Sequence, residues 1–345
     1  MSDLQQLTDW CFSILPGHVS APDILQLQPV SGDAGFRNYF RLNTRPTLIA
    51  VHAPPEQEDV PGFVDKALFF SGADIHVPRV YAVDYAQGHM LIEDLGDTLL
   101  LDELNPQSVD AHYQSANILL LKLQNLETVP LFEPYNSDKL AQEMQLFPEW
   151  FVNQLLQINV DDKFQTIIEQ VYSLLIDNAL QQPQVIVHRD YHARNLMLQA
   201  DGSLGVIDFQ DAVVGAVTYD LVSLLRDCYI RWPAHQVEKW AFGFYRQATA
   251  LNQLECIGEQ QFLRWFNLMG LQRHIKVLGI FARLWLRDGK PGYLKDLPLV
   301  MRYVLEQTAT YEEFKPFHQW LISVMLPVAK QQYWYQPWER AGENL

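Results

Sequence analysis

The stretch His188-Arg189-Asp190-Tyr191-His192-Ala193-Arg194-Asn195, followed by Val206-Ile207-Asp208-Phe209, decides how the rest of the chain is read. The apolar run Val185-Ile186-Val187 leads into a polar loop that carries an Asp and, five positions later, an Asn. A second apolar run then ends in another Asp. Strands that give way to polar loops in this order place two carboxylates and one amide at the rim of a small sheet. Either Asp alone reads as an ordinary turn residue at a strand end; the ordered set with both strands reads as a site.

Phosphoryl transfer uses such a set. Its transition state spreads negative charge over the transferred group, so catalysis is mostly alignment and charge neutralisation. Asp190 is the candidate catalytic carboxylate, receiving and orienting an acceptor hydroxyl. Asn195 and Asp208 are candidate oxygen ligands for Mg²⁺, a hard cation that takes few protein ligands and fills its shell with waters and phosphates.

Upstream, Ser31-Gly32-Asp33-Ala34-Gly35-Phe36-Arg37 lies between β-type runs, where a hairpin covering phosphates would sit. Gly32 and Gly35 would let backbone N–H groups approach a nucleotide; an ordinary hairpin turn is the alternative. The β-type runs are Leu25 to Val30, Tyr39 to Leu42, Leu48 to His52, Val80 to Val83 and His89 to Ile92, after an N-terminal helix over about Leu4 to Leu15. From about Asn105 the spacing turns helical, with Val109, Tyr113, Ala116, Leu119, Leu120 and Leu123 on one stripe. Further helices are expected over Asp138 to Gln157, Lys163 to Gln181, Tyr219 to Trp232, His235 to Leu251, Glu259 to Leu286 and Leu294 to Leu305. The expected class is α+β, with a small β-rich lobe over 1–95 and a larger, mainly α-helical lobe over 96–345. The hinge falls at Glu93-Asp94-Leu95-Gly96-Asp97, whose backbone near Glu93 and Leu95 would hold an adenine edge. Asp220, opening the helix after Thr218, reads as a helix cap.

Composition sets the outer limits. The 345 residues are 48% hydrophobic and 19% charged, an ordinary globular balance. Forty-one acidic against 25 basic residues give a net charge of −16, with no Lys/Arg cluster, which argues against nucleic acid as a partner. Cys11, Cys228 and Cys256 are widely spaced and read as reduced thiols of a cytoplasmic protein. No run approaches the roughly 20 apolar residues that span a bilayer, so no membrane partner is expected.

These motifs resemble the aminoglycoside phosphotransferase and choline kinase group, which shares the protein-kinase-like two-lobed fold. His188, Asp190 and Asn195 match one of that group's defining motifs and Asp208 the other. A nearer resemblance is to bacterial anomeric sugar kinases acting on N-acetylmuramate and N-acetylglucosamine. It is carried by Phe36-Arg37-Asn38-Tyr39-Phe40-Arg41, Ala53-Pro54-Pro55-Glu56, Leu146-Phe147-Pro148-Glu149-Trp150, Asp208-Phe209-Gln210-Asp211-Ala212, Gln272-Arg273-His274 and Gly279-Ile280-Phe281-Ala282-Arg283. The resemblance implies an ATP-dependent kinase, with GTP as the alternative nucleotide, that phosphorylates the C1 hydroxyl of an amino sugar in cell-wall recycling. Asp211, Arg273 and His274 are the candidate sugar contacts, an Arg suiting the lactyl carboxylate of a muramate.

One departure from the wider fold stands out. Protein kinases carry a Lys on the third strand for the α/β-phosphates, and Leu48-Ile49-Ala50-Val51-His52 has none; the nearer family also implies an acidic residue where His52 stands. Arg37, Arg41, Lys66 or the metal must then meet the phosphate charge, the two arginines being favoured because a guanidinium binds phosphate bidentately. Two other functions fit the same residues: a kinase of aminoglycosides or other small alcohols, and a nucleotide-binding pseudokinase scaffold.

Overall fold

The computed structural model describes residues 3–30 and 35–343. The chain forms two compact units, 1–103 with 194–211 and 104–193 with 212–345. Among the described residues no helix is long and apolar enough to cross a membrane.

The first unit opens with helix α1 (Asp3–Ser13) and builds an antiparallel sheet from β1 (Leu27–Val30), β2 (Asn38–Leu42), β3 (Leu48–His52), β4 (Val80–Asp84) and β5 (His89–Glu93), in the order β1-β2-β3-β5-β4. All five expected runs form strands. Strand β3 lies inside the sheet with Leu48 to Val51 buried, which accounts for its unbroken apolar sequence. Leu7 and Cys11 of α1 pack with Leu42, Leu48, Ala50 and Leu91 to close one face.

Helix α2 (Val60–Gly72) was not expected from the sequence. Pro61-Gly62 shortly after Pro54-Pro55 reads as loop, but Pro is tolerated in a first helical turn because its N–H would be unpaired there anyway. The Asp59 side chain caps that turn through the Gly62 N–H at 3.0 Å. A short α3 (Leu100–Glu103) follows the sheet.

Two small antiparallel pairs are nested in the chain. β6 (Gln184–Val187) pairs with β9 (Val213–Ala216), and between them β7 (Leu196–Leu198) pairs with β8 (Leu204–Val206). The inner hairpin belongs to the first unit. Leu99 bridges to Met197, Leu198 N–H donates to the Thr98 carbonyl at 2.9 Å, and Val206 N–H donates to the His76 carbonyl at 2.7 Å. Phe209 then packs against Phe63 and Phe70 of α2, with ring centroids 5.0 and 5.9 Å away. β9 was also unexpected; Val213-Val214-Gly215-Ala216 is too short to show a period.

The second unit is helical around β6 and β9. It comprises α4 (Val109–Gln124), α5 (Ser137–Met144), a π-helical stretch Phe147–Leu155, α6 (Asp162–Leu180), α7 (Tyr219–Leu225), α8 (Ala234–Ala250), α9 (Glu259–Leu286), α10 (Leu297–Thr310), α11 (Lys315–Trp320) and α12 (Leu326–Ala329). The helix expected over Asp138 to Gln157 is divided between α5 and the π-helical stretch, near Pro148, which lacks an N–H to donate. The helix expected over Tyr219 to Trp232 stops at Leu225, where Arg226 leaves helical geometry.

α9 is the axle of this unit. It is buried almost all round, with Leu271, Ile275 and Leu278 set among Phe147, Phe151, Ile168, Leu175, Val300 and Val304. Gly279 permits a close crossing, since a Cβ there would stand 2.3 Å from the Leu146 carbonyl carbon. Gly279→Ala should therefore destabilise the protein by about 1–3 kcal/mol despite alanine's better helix propensity, read as a lower midpoint in urea unfolding.

Candidate active site

In the first unit Asn195 stands just before β7 and Asp208 two residues past β8. Asp208 does not end the strand, as the sequence suggested, but turns the chain away from it in the left-handed region at φ +64°. A non-glycine residue held there stores roughly 1–3 kcal/mol of strain, characteristic of functional sites. Ile207 N–H donates to the Asn195 carbonyl at 3.1 Å, and Asn195 Nδ2 lies 3.4 Å from Asp208 Oδ2. The Gln210 side-chain amide donates to Asp208 Oδ1 at 2.6 Å, while Lys66 on α2 donates through Nζ to the Gln210 carbonyl.

One carboxylate with one amide oxygen is a hard but incomplete donor set. It fits a small divalent cation that arrives with phosphate oxygens and waters rather than one caged by protein. Among the described residues no group of three or more His, Cys, Asp or Glu could hold an ion unaided.

The candidate phosphate cations of this unit take up different positions. Arg37 pairs with Glu58 at 2.7 Å and covers the Phe63 ring, and its buried Nε has no hydrogen-bond partner among the described residues. Tyr39 feels the charges of both this arginine and Asp208. Burial pushes its phenol up, Arg37 pulls it down by charge and hydrogen bond, and the charges of Asp208 and Glu58 push it up again. Arg41 is held elsewhere, with Nε and Nη2 on Asp94 at 2.7 and 2.9 Å and Nη1 on Asp97 at 2.8 Å. It braces the segment after β5.

In that segment Glu93 pairs through its N–H with the Arg79 carbonyl at 2.9 Å, and the Leu95 carbonyl accepts from Gln199 Nε2 at 3.2 Å. Gly35 lies exposed near Glu58, and Asp211 is exposed on the turn before β9. Gly32 lies outside the described residues.

In the second unit Asp190 follows β6. Asp220 does not cap its own helix; its buried carboxylate accepts the backbone N–H of His188 at 2.6 Å and of Arg189 at 3.0 Å. Arg189 is the second left-handed non-glycine residue of importance, at φ +78°. Its guanidinium lies over the Tyr135 ring and pairs with Glu143 of α5.

Two cations on α9, one turn apart, face this loop. Arg273, only 3% exposed, places Nη2 3.8 Å from Oδ1 of Asp190, whose own side chain is 50% exposed. Lys276 is buried, with Nζ 2.9 Å from Glu143 and 3.2 Å from the Tyr219 hydroxyl. Burial alone would raise the Asp190 carboxyl; the charges of Lys276, His192, Arg273 and Arg189 outweigh it and hold it at about 2. It is a carboxylate throughout the physiological range.

His274 takes another position. Fully buried, it stacks on Tyr303 at 4.5 Å, sets Nε2 2.9 Å from the Arg226 carbonyl, and is kept neutral by burial, its value pushed down to about 3. A sugar cannot reach that ring, so any part it plays in recognition is through the helix it anchors. Lys276 and Glu143 were not singled out in the sequence. Lys276 interrupts the apolar run Ile275-Lys276-Val277-Leu278 on a helix buried all round, and a charge in such a run is rarely silent. Glu143 left no comparable signal.

A sheet-based unit bearing an Asn/Asp pair and a helical unit bearing an Asp beside two buried cations describe a phosphotransferase of the kinase-like class. The chain belongs to the phosphotransferase enzyme family, whose model matches residues 26–252. It is 38% identical over 94% of its length, and 98% of the relative's, to the N-acetylmuramate/N-acetylglucosamine kinase of Pseudomonas aeruginosa. It is 41% identical to the protein of that name from Pseudomonas putida, over 88% of this chain and 91% of the relative. Among solved structures, an ADP-bound aminoglycoside phosphotransferase aligns with TM-score 0.58 at 17% identity, over 88% of this chain and 98% of the other. The choline kinase LicA of Streptococcus pneumoniae aligns with TM-score 0.62 at 13% identity, over 89% and 99%. The expected kinase-like α+β fold is thereby established.

Removing Lys276, the strongest of the charges that depress Asp190, should be visible in a titration. Lys276→Met should raise the Asp190 pKa by about 1 unit or more, read as an upward move of the acid limb of kcat/KM against pH.

Proposed function

We propose that the protein is an ATP-dependent kinase that phosphorylates the anomeric hydroxyl of an amino sugar, N-acetylmuramate or N-acetylglucosamine, within cell-wall recycling. The observation that carries this reading is Asp190, a carboxylate held at about 2 beside Arg273 and Lys276. So weak a base suits an acidic acceptor better than an ordinary alcohol. The anomeric hydroxyl is such an acceptor, because the ring oxygen withdraws electron density from it. The names of the relatives point to the same substrates.

Asp190 orients the hydroxyl toward the phosphate and accepts its proton as the new bond forms, which is alignment more than basicity. Asn195 and Asp208 would hold Mg²⁺ carried by the nucleotide. When bound, that ion neutralises phosphate charge. Gly32 and Gly35 would admit the phosphates to the backbone, and the chain near Glu93 and Leu95 would hold the adenine edge. Arg37 is preferred over Arg41 for phosphate, because its Nε has no partner among the described residues whereas Arg41 is committed to two aspartates. Arg273 would receive the muramate carboxylate at the end of its guanidinium that faces Asp190, where Nη2 lies 3.8 Å from Oδ1. Asp211 would take a sugar hydroxyl.

Incubation with ATP, Mg²⁺ and either sugar should give an acid-labile, alkali-stable sugar phosphate, and a product phosphorylated at the 6-position would defeat the anomeric assignment. Asp190→Asn should lower turnover about 10²–10⁴-fold with little change in nucleotide affinity; unchanged function in that variant would favour a scaffold. Arg273→Ala should reduce kcat/KM for N-acetylmuramate roughly 10- to 100-fold more than for N-acetylglucosamine, the worth of one charged hydrogen bond. Equal losses on both sugars would remove the carboxylate from its role.

A further inference from the structure

We infer that Gln210 is a positioning residue for the metal-bearing carboxylate: its side-chain amide fixes Oδ1 of Asp208 and so turns Oδ2 toward Asn195 and the cation. The inference rests on the reading of Asn195 and Asp208 as ligands of the nucleotide's ion.

The two oxygens of Asp208 are not equivalent. Oδ1 receives the Gln210 amide at 2.6 Å, whereas Oδ2 lies on the Asn195 side, 3.4 Å from that residue's Nδ2. Only the N–H₂ end of a carboxamide can face a carboxylate oxygen at such a distance, so the chemistry fixes which way the Gln210 amide points. A ligating carboxylate with one oxygen already bonded cannot rotate freely, and the other oxygen is presented in a single orientation.

The fold prepares this bond. The left-handed turn at Asp208 folds the chain back so that a side chain two residues later can reach the carboxylate. Phe209, fully buried between Phe63 and Phe70, wedges the intervening residue in place. Lys66 holds the Gln210 carbonyl from α2. Three contacts within one unit thus aim one amide. They also give Lys66, the one lysine before the hinge, a task on the metal loop.

The test uses the full chain and Mn²⁺ as the probe, its binding followed by electron paramagnetic resonance with a non-hydrolysable ATP analogue. Gln210→Met keeps the volume and removes the donor. Gln210→Asn keeps the amide but shortens its reach by one methylene. Both should weaken Mn²⁺ about 10- to 100-fold, while the melting temperature and the affinity for metal-free nucleotide stay near those of the wild type. Wild-type Mn²⁺ affinity in either folded variant overturns the inference, since a side chain that only packs is replaced by methionine without loss. Asp208→Asn separates the two layers. If it leaves Mn²⁺ binding intact, the metal reading itself fails and takes Gln210 with it; if it abolishes binding while Gln210→Met does not weaken it, the positioning role alone falls.

Discussion

The backbone N–H groups of His188 and Arg189 both end on the carboxylate of Asp220, and the loop that carries Asp190 takes its shape from that clasp. The chain leaving β6 must reverse so that Asp190 is presented, and the reversal puts Arg189 in a conformation that side chains disfavour. Two buried donors without an acceptor would cost about 1–3 kcal/mol each, so the acceptor and the strained turn stand or fall together. Burial pushes the Asp220 carboxyl up to about 7, against the two N–H bonds that pull it down, with the Asp190 charge adding to the rise. A folded value above the ordinary aspartate range means this group contributes stability fully in acid and loses it as pH rises from about 4 through 7. The clasp stabilises the loop at the expense of a buried charge near neutrality.

That expense is tolerable because the rest of the second unit is arranged around charge. Glu143 joins Arg189, Lys276 and the Tyr135 hydroxyl; burial raises its carboxyl, but Lys276 and Arg189 more than reverse this and keep it ionised. An isolated buried lysine would shed its proton. Burial does pull Lys276 down, yet Tyr219 and Glu143 hold it above its ordinary value. The network therefore delivers two reliably positive groups, Lys276 and Arg273, to the side of Asp190. A lone carboxylate there would gain a proton more readily and lose its orientation. Glu143 never needs to touch the chemistry to matter to it.

These relations explain what the sequence could and could not reveal. Asp190, Asn195 and Asp208 stood out in the sequence because each lies in a polar stretch beside a short apolar strand, one to three residues from its end. The five strands of the sheet were legible for the converse reason, that short runs rich in apolar and aromatic residues between turn residues serve structure alone. Asp220 was visible as a helix-initial Asp, but its partners lie 31 and 32 residues earlier, and no local rule ties them together. α2 was hidden by Pro61-Gly62, which obey helix-start rules and loop rules equally. The return of residues 194–211 to the first unit rests on the bridge from Leu99 to Met197 and on the Phe209 wedge, tertiary contacts that leave no periodicity. His274 shows the opposite error: a polar residue on a long helix looked functional, whereas a neutral, stacked imidazole is a packing element.

The missing strand lysine follows from the same accounting. α1, Leu42 and Leu91 close the Leu48/Ala50 face of β3, and Ile49 and Val51 of its other row are buried as well, so a cation in either row would need an acidic partner of its own. The positive charge is instead carried on β2 and its flank and on α2, where each cation has a partner at hand: Glu58 for Arg37, Asp94 and Asp97 for Arg41, the Gln210 carbonyl for Lys66. Arg41 spans two aspartates and would have to give up both to meet a phosphate. Arg37 needs to give up nothing, since a guanidinium has five donors and its Nε is still unpartnered among the described residues. A chain with net charge −16 must concentrate its positive potential where a polyanion is to bind. Arg37, whose charge acts on Tyr39 together with that of Asp208, is the proposed place for it in the first unit.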